Sequence, residues 1–496
     1  MPRHSTPVTA TAHVPEVITK ELALIRAANH RKVRISTNFL PLMGFEFGCR
    51  HTREVLPDGQ GLRLAFDPAG PQKVYQRRYP SRRNNPFETV VEIANQDVLA
   101  AAIPGCTERI HVTMRAGEIL IRPLVNRTFA IRRDLARSVD PFSAMVAMTS
   151  GIDISVLRAC GFNVSSVLEY RPHERRDTRD LTETGMLTVL ANAPGVRYAF
   201  NEDIPTVDWR RVADIMASGP RVAVLHISLT CDDYSQAKSA SLKARSRADM
   251  STTTDLVYDA LRAVEVFAPA AVMLEQVPGF AHSHEGALFA TRLRRWGYFV
   301  TEQIMRACDY GGRTQRERLY SVASVYPGFG MPRPTPARQT RLWDDIEPFL
   351  AGCSDVSDSK AVRAGIETGR ARLITPATVH ARTILKSQQR AAKDSLYVAM
   401  PDGRYLLPSV DLLRYLSGIS PEFDFGSVAM EQCVEQIGQG IDVPLHAAVC
   451  TALHAHLAAN IGRHSVLPIT RSVDMPRQVA RHPRSCAAQL DLFGAE

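Results

Sequence analysis

The sequence lacks the features that mark membrane, secreted and zinc-binding proteins. No run of about eighteen apolar residues is present, so we expect neither a membrane-spanning helix nor a membrane partner. The N-terminal stretch has no apolar core of a signal peptide. The nine cysteines form no Cys-x-x-Cys pair, which argues against a disulfide framework and against a bound metal. These absences predict a cytoplasmic protein.

What is present is typical of a large globular protein. The 496 residues are 45% hydrophobic and 22% charged, and this length predicts about two to four domains. The formal net charge of +9 favours polyanionic partners such as nucleic acid. A charge of this size permits nucleic-acid binding without showing it.

The N-terminal part of the chain predicts an arm and a small domain. Residues 1–34 are predicted to form a polar arm and a short helix, the helix over 17–30. Residues 35–136 contain short strand-like stretches separated by Gly, Pro and Asn, which predict a β-rich domain of unassigned role. Within it, residues 75–83 interleave tyrosines with arginines. This pattern fits a strand that follows a phosphate backbone and a solvated basic hairpin about equally well.

At about residue 137 the sequence changes to strands that alternate with amphipathic helical segments. This alternation predicts a mainly parallel α/β sheet covered by helices on both faces. Residues 137–335 are predicted to form this domain, and residues 431–462 to complete it. In such sheets ligands bind beyond the carboxyl ends of the strands. The residues that follow each predicted strand are therefore the candidates for chemistry.

The first three strand ends carry candidate ligand-binding residues. Thr149, Ser150 and Gly151 join the first strand to a helix, whose N-terminus offers free N–H groups to a ligand. Glu169 ends the second strand, where a carboxylate can accept both hydroxyls of a ribose, and Asp203 follows the third. Each of these features taken alone fits an ordinary turn or a solvated loop residue equally well.

The next strand ends carry a cysteine, a carboxylate and two arginines. Cys231 follows the fourth strand, and taken alone it fits a small apolar filler better than a nucleophile. Glu275 ends the fifth strand, where a carboxyl group can share a proton with a ring nitrogen. Arg316 and Arg318 point to one side if their segment is extended. Their convergence on one sheet edge is far more specific than any of them alone.

The order of these motifs resembles the cytosine-5 DNA methyltransferase family over roughly residues 138–460. The segment ACDYGGRTQRERLYSVA is similar to the arginine motif of the family, LEQVPGF to its Glu-Asn-Val motif, and LTCDDYS to its Pro-Cys-Gln loop. Three later segments resemble further family regions: PTPARQTRLWDDIEPFL, LLPSVDLLRYLSGISPEFDF and IGQGIDVPLHAAVCTALHAHL. The fold this implies is a Rossmann-like S-adenosylmethionine-dependent methyltransferase sheet with a smaller target-recognition domain over 336–430.

The resemblance implies a mechanism. The Cys231 thiolate would add to carbon 6 of cytosine and so activate carbon 5 for the methyl group of S-adenosylmethionine. Glu275 would bind N3 and the exocyclic amine. Arg318 would donate to O2, and Arg316 would help to hold the loop and the base. Because the ring lies inside double-stranded DNA, the cytosine would be flipped out.

The resemblance also implies the cofactor contacts. Phe142 and the loop Thr149–Gly151 would line the pocket. Glu169 would hold the ribose of the cofactor, and Asp203 with the adjacent Ile204 its adenine.

The sequence departs from the family around the nucleophile and the first loop. The proline before the cysteine is Thr230, the glutamine after it is Asp232, and the asparagine of the Glu-Asn-Val motif is Gln276. Of the Gly-rich loop only Gly151 remains. The adjacent acids Asp232 and Asp233 should oppose thiolate formation unless the arginines offset them. Two alternatives therefore stay open, a catalytically weak or inactive DNA-binding protein and a tRNA cytosine-5 methyltransferase.

The tail over 463–496 is predicted to be disordered and carries a candidate docking motif. Five residues resemble the pentapeptide by which bacterial replication and repair proteins dock onto the sliding clamp: Gln489, Leu490, Asp491, Leu492 and Phe493. A chance match is the alternative. Docking would concentrate the protein on newly replicated DNA in the nucleoid, and the family resemblance also suggests a link to restriction–modification.

Overall fold

The structure is a computed structural model that describes residues 14–27, 30–81, 86–173, 177–235, 238–336, 340–426 and 428–462. The predicted tail and its clamp-like motif lie outside the described residues. Among the helices in the part of the chain that the structure describes, none has the length and apolarity needed to cross a bilayer.

The N-terminal part forms two antiparallel sheets, ordered β1-β9-β10-β5-β4-β6 and β2-β3-β8-β7. The strands are β1 (Ile18–Ala23), β2 (Ile25–Ala27), β3 (His30–Ser36), β4 (Arg50–Val55), β5 (Leu62–Phe66), β6 (Gln72–Lys73), β7 (Tyr75–Arg78), β8 (Phe87–Ile93), β9 (Arg109–Arg115) and β10 (Glu118–Pro123). The helices α1 (Phe39–Leu42) and α2 (Gln96–Ala102) accompany them, whereas the next helix, α3 (Arg127–Ala136), contributes Ile131 and Leu135 to the core of the sheet that follows. Buried apolar side chains of both sheets, such as Val33, Leu64 and Ile119, form a core of their own.

The prediction of a helix over residues 17–30 is wrong. Ile18–Ala23 is β1, which pairs antiparallel with β9 and places Ile18 opposite Met114. Along β1, partly buried and exposed side chains alternate strictly, which is the period of a strand. Because the segment is short, pairing with a neighbouring strand decides its conformation.

The basic segment 75–83 is described only in part. Its first four residues are β7, all exposed, and pair antiparallel with β8. The guanidinium of Arg77 lies 5.1 Å from the ring centroid of Tyr79. These contacts do not test whether the segment binds a phosphate backbone, which stays a prediction.

The following part forms a seven-stranded sheet of order β13-β12-β11-β14-β15-β17-β16, in which β17 runs antiparallel to the other six strands. Its strands are β11 (Ser143–Ala147), β12 (Asn163–Leu168), β13 (Tyr198–Phe200), β14 (Val224–Ile227), β15 (Ala271–Gln276), β16 (Phe299–Arg306) and β17 (Glu317–Ser324). Its helices are α4 (Ile152–Ala159), α5 (Thr184–Asn192), α6 (Trp209–Met216), α7 (Ala240–Ala248), α8 (Leu256–Phe267), α9 (Pro278–Ala281) and α10 (His284–Arg295). The parallel strands β11, β14 and β15 are fully buried and mainly apolar, as expected for strands whose two faces are covered by helices. This confirms the predicted α/β fold with a Rossmann-like sheet.

A small four-stranded sheet follows, ordered β18-β21-β20-β19. Its elements are β18 (Ser354–Asp355), β19 (Arg372–Ile374), β20 (Leu396–Ala399) and β21 (Tyr405–Leu407), with α11 (Trp343–Ile346), α12 (Lys360–Glu367) and α13 (Val410–Ser417). Short 3-10 helices cover Ala307–Tyr310, Glu347–Gly352 and Gln388–Arg390. Ile374, Leu396 and Val398 belong to the same buried core as the large sheet, so the small sheet is packed directly on it.

Two C-terminal helices return to the large sheet. They are α14 (Met430–Gln439) and α15 (Val443–Asn460), and α15 packs against α4. The Asp442 side chain caps α15 by accepting from the N–H of Leu445. The return brings the end of α14 to the carboxyl edge of the sheet, where the site lies.

Candidate active site

A cavity of about 600 Å³ opens at the carboxyl ends of the parallel strands. Eight of the predicted site residues line it: Thr149, Ser150, Glu169, Asp203, Ile204, Cys231, Glu275 and Arg318. The cavity therefore unites the residues predicted for the cofactor with three of the residues predicted for catalysis. Its position beside the first and fourth strands is where an open α/β sheet binds ligands, because the chain reverses its winding there.

Two predicted cofactor residues do not line the cavity. Phe142 precedes β11 and so lies at the amino end of that strand, where its ring stacks on His454 with centroids 4.2 Å apart. The structure corrects this assignment, because Phe142 and the cavity are at opposite ends of β11. Gly151 caps α4 with a φ of 96°, and a Cβ there would lie 3.2 Å from the Cα of Val189. This glycine serves the turn itself.

Arg316, predicted as catalytic, does not line the cavity either. It is buried, and its guanidinium donates to the carbonyl oxygens of four residues: Ile384, Gly438, Gln439 and Gly440. Burial, with the charge of Arg318 beside it, lowers the pKa of Arg316 to about 9. Its contacts fit the predicted role of holding a loop.

Cys231 follows β14 at the cavity wall. Burial raises the pKa of its thiol, and the charges of Arg318 and Arg316 act in the opposite direction. Asp232 and Glu275 raise the pKa further. The fraction of Cys231 that is ionised to thiolate therefore depends on the balance of charges around the thiol.

Glu275 and Arg318 form an ion pair beside the thiol. The Nε atom of Arg318 lies 2.7 Å from Oε1 of Glu275, and their side chains are only 11% and 8% exposed. The pairing follows from the register of β15 and β17, which places Glu275 opposite Tyr320. Arg318 is two residues from Tyr320 and shares its side of the strand. The antiparallel β17 is thus what brings the guanidinium to the carboxylate.

The two acids that follow Cys231 each have a lysine partner. Asp233 is buried and accepts from Nζ of Lys238 at 2.7 Å and from the N–H of Thr253 at 2.8 Å. Asp232 lies 3.3 Å from Nζ of Lys386, which comes from the small-sheet region. The negative charges of the two acids are therefore offset by lysines as well as by the arginines that the sequence suggested.

Gln276 links the end of β15 to the loop that carries Cys231. Its Nε2 donates to the carbonyl of Leu229 at 2.8 Å, and its Oε1 accepts from the N–H of Val277 at 2.7 Å. Both amide atoms are thus used within the protein. Gln276, which stands where the Glu-Asn-Val motif has asparagine, thus holds two parts of the backbone together.

Glu169 reaches the cavity in a setting that disfavours its charge. Burial raises the pKa of this carboxyl group to about 8, with the negative Asp153 adding to the rise. A Cβ on Gly185 would lie 2.2 Å from Oε1 of Glu169, so the helix α5 makes room for the carboxylate only because residue 185 is glycine. Burial also raises the pKa of Asp203, which the backbone N–H of Ile204 partly opposes.

The turn after β11 is built differently from a Gly-rich loop. Met148 lines the cavity with a φ of 63°, a left-handed conformation that glycine adopts more easily. The hydroxyl of Thr149 donates to the Asp153 carboxylate and accepts from the N–H of Gly151. Asp153 also lies 3.1 Å from Nε2 of His226. This buried network fixes the loop in place of the missing glycines.

Sequence reasoning missed Asp153, His226 and Lys386. The first two were visible as polar residues inside apolar segments, IDISVL and RVAVLHISL, where a polar group needs a partner. Lys386 lies in a basic stretch, and charge alone did not separate it from the lysines and arginines around it.

Comparison with known proteins finds a family match for part of the chain. Residues 197–327 match the family model described as C-5 cytosine-specific DNA methylase. This segment is similar to that family, and it makes up about a quarter of the chain. It contains Cys231, Glu275 and Arg318, whereas Glu169 and Lys386 lie on either side of it. The match thus covers these three residues, called the triad from here on, and excludes most of the predicted cofactor residues.

The known proteins that match this chain are distant relatives. The Type II methyltransferase M1.BsuMI of Bacillus subtilis (strain 168) is 34% identical over 68 residues, which are 13% of this chain and 16% of that protein. This chain therefore matches about a sixth of the relative's length. Two solved methyltransferase structures are similar over 64% of the chain: EhMeth of Entamoeba histolytica, with 14% identity, 98% of its chain covered and a TM-score of 0.49, and Dnmt2 of S. pombe, with 13% identity, 99% covered and a TM-score of 0.49.

Proposed function

We propose that this protein is a DNA cytosine-5 methyltransferase that uses Cys231 as a covalent nucleophile and S-adenosylmethionine as the methyl donor. One observation carries the proposal. Cys231, Glu275 and Arg318 line the same cavity as Glu169 and Asp203. A nucleophile, a carboxyl group and a guanidinium around one space can grip one pyrimidine ring, with room beside it for a second ligand.

Cys231 begins the reaction by adding its thiolate to carbon 6 of cytosine. This addition breaks the 5,6 double bond and makes carbon 5 nucleophilic. Carbon 5 takes the methyl group, the proton on carbon 5 is then lost, and the thiolate leaves as the double bond re-forms. The charges of Arg318 and Arg316 favour the thiolate that starts the cycle.

Glu275 and Arg318 bind the ring during the addition. Glu275 holds N3 and the exocyclic amine, and Arg318 donates to O2, where negative charge develops as sulfur attacks. The ion pair fixes both side chains before the base arrives. Such preorganised groups are worth more in a closed cavity than in water.

Other residues of the same cavity support the choice of S-adenosylmethionine as the cofactor. The partly buried Glu169 follows β12, and the low solvation of its carboxyl group raises its pKa; ribose hydroxyls would give it polar partners. Asp203 and Ile204 lie at the end of the neighbouring strand and would hold the adenine. When bound, the cofactor supplies an electrophilic methyl group to carbon 5.

The substrate is proposed to be duplex DNA with the target base flipped into the cavity. Stacking and pairing hide the ring atoms that Cys231 and Glu275 must reach. The region 336–430 is proposed to face the DNA, and its basic residues suit phosphate contacts. Docking to a sliding clamp through residues 489–493 remains a separate prediction.

Transfer of labelled methyl groups tests this function. We expect wild-type protein to label duplex DNA in preference to tRNA, Cys231→Ala to abolish the labelling, and Cys353→Ala to preserve it as a matched cysteine control. Labelling of tRNA alone would instead identify an RNA enzyme. Absence of any labelling, together with retained DNA binding, would identify a binding protein without activity.

A further inference from the structure

A lysine from the small-sheet region reaches the loop that carries Cys231. The Nζ atom of Lys386 lies 3.3 Å from Oδ2 of Asp232, and the two residues are 154 positions apart in the chain. Both side chains line the cavity that contains Cys231. The contact therefore joins two separate parts of the molecule at the residue next to the thiol.

The position of Lys386 is fixed by close backbone packing. A Cβ on Gly438 of α14 would lie 2.5 Å from the carbonyl carbon of Leu385 and 2.6 Å from the Cα of Lys386. This approach is possible only because residue 438 is glycine.

The same segment is held from a second side. Arg316 donates to the carbonyls of Ile384 at 3.4 Å and of Gly438 at 3.1 Å. Ala381, a few residues earlier, exchanges backbone hydrogen bonds with Arg313 and Gln315. The backbone of this segment is therefore fixed on two sides, which keeps Lys386 close to Asp232.

We propose that Lys386 is a positioning residue for the nucleophile, which holds Asp232 and offsets its negative charge beside Cys231. The proposal rests on the function proposed above and extends it to a residue outside the matched methylase segment. It also accounts for the acid at position 232, where the family has a neutral glutamine. Asp232 and Lys386 act as a compensating pair, so the small-sheet region contributes to the reactivity of the thiol.

The charges that face Cys231 give the sign of the effect. Asp232 and Glu275 oppose the thiolate, and Arg318 and Arg316 favour it. Removal of Lys386 would leave Asp232 uncompensated, so the pKa of the thiol would rise and less thiolate would form near neutral pH. Removal of Asp232 would have the opposite effect. Removal of both would leave the balance close to that of the wild type.

Alkylation of Cys231 in the free protein tests the pair. Iodoacetamide reacts with the thiolate, and mass spectrometry of the peptide containing residue 231 gives the rate for this cysteine alone, from pH 6.5 to 9.5 at low salt. We expect Lys386→Gln to slow the reaction at pH 7.5 by about threefold and to shift the profile to higher pH. We expect Asp232→Gln to speed it by a similar factor and the double variant to match the wild type. Lys393→Gln, an exposed lysine of the same region, is the control and should match the wild type.

Two results would overturn the proposal. One is a Lys386→Gln profile equal to that of the wild type. The other is an equal slowing in Lys386→Gln and in the double variant, which would mean that the lysine acts by its packing and not by its charge. The assay needs neither DNA nor methyl donor. A protein without methyltransferase activity would still show the charge effect, so failure of this inference and failure of the proposed function are distinguishable.

Discussion

The Nε atom of Arg318 lies 2.7 Å from Oε1 of Glu275, at a point where both side chains are almost fully buried. The two residues belong to neighbouring antiparallel strands, and their contact places a positive and a negative group at the wall of the cavity that Cys231 also lines. A buried pair of this kind is costly to break, because the remaining partner stays in a poorly solvated site.

We expect Arg318→Met to lower both stability and activity. The free energy of unfolding should fall by about 3 kcal/mol, because Glu275 would be left buried without its partner. The rate of methyl transfer should fall by about 100-fold or more, because a donor to the developing charge is lost. Urea unfolding and a labelled-methyl assay measure the two effects.

Arg306→Met is the matched control for this change. Arg306 also pairs with an acid, Asp309, at 3.0 Å, but its side chain is 52% exposed. Exposed pairs contribute at most about 1 kcal/mol. Equal losses of stability in the two variants would contradict the account of the buried pair.

Glu169→Gln is expected to make the unliganded protein more stable than the wild type at high pH. The pKa of Glu169 is about 8 in the folded protein and ordinarily 4.5 for a glutamate, so the folded state binds an extra proton between these two pH values. Stability of the wild type should therefore fall as pH increases from about 4.5 to about 8, while the neutral glutamine avoids this loss. Melting temperatures should coincide near pH 4.5 and differ by a few degrees in favour of the variant at pH 8.

The same substitution should weaken the binding of S-adenosylmethionine. Loss of the carboxyl partner of the ribose is expected to raise the Kd by at least about tenfold, measured by calorimetry. Glu202→Gln, an exposed neighbour of the site, should change neither quantity. A Glu169 variant with unchanged affinity would remove this residue from the cofactor site.

Gly185→Ala is expected to disturb the cofactor side of the cavity while leaving the triad in place. The added Cβ would lie 2.2 Å from Oε1 of Glu169 and 2.8 Å from its Cδ, so the carboxyl group must move. Binding of S-adenosylmethionine should weaken by at least about tenfold, and alkylation of Cys231 should proceed at the wild-type rate. Gly330→Ala, where an added Cβ meets nothing within 4 Å, should bind as the wild type does.

Arg316→Lys is expected to act on stability more than on base binding. A lysine cannot replace a planar group that donates to four carbonyls. The free energy of unfolding should fall by about 2–4 kcal/mol, since several buried acceptors would lose their donors. A variant as stable as the wild type, with a specific loss of methyl transfer, would restore Arg316 to the catalytic group.

The sequence pattern was sufficient to predict those parts of the fold that depend on the order of strands and helices along the chain. The alternation of strands and helices predicted the parallel sheet, and the rule that ligands bind at strand ends selected Glu169, Cys231 and Glu275, which all line one cavity. These predictions needed only the order of elements along the chain.

Features set by long-range packing were not predictable in the same way. β1 was mistaken for a helix because its conformation depends on pairing with β9, about ninety residues later in the chain. Phe142 was assigned to the cavity, although its position before β11 puts it at the wrong end of that strand. The contact of Lys386 with Asp232 depends on how the small sheet packs on the large one, and no local pattern encodes it.

Covalent trapping on DNA tests the central claim most directly. Duplex DNA containing 5-fluorocytosine should be attacked by Cys231 and methylated at carbon 5, and the adduct should persist because fluorine cannot leave as the proton does. We predict that, in the presence of S-adenosylmethionine, mass spectrometry finds the modified nucleotide on the peptide containing Cys231 and that Cys231→Ala gives no adduct. Methylation of ordinary DNA without any such adduct, or an adduct on a different residue, would contradict the account.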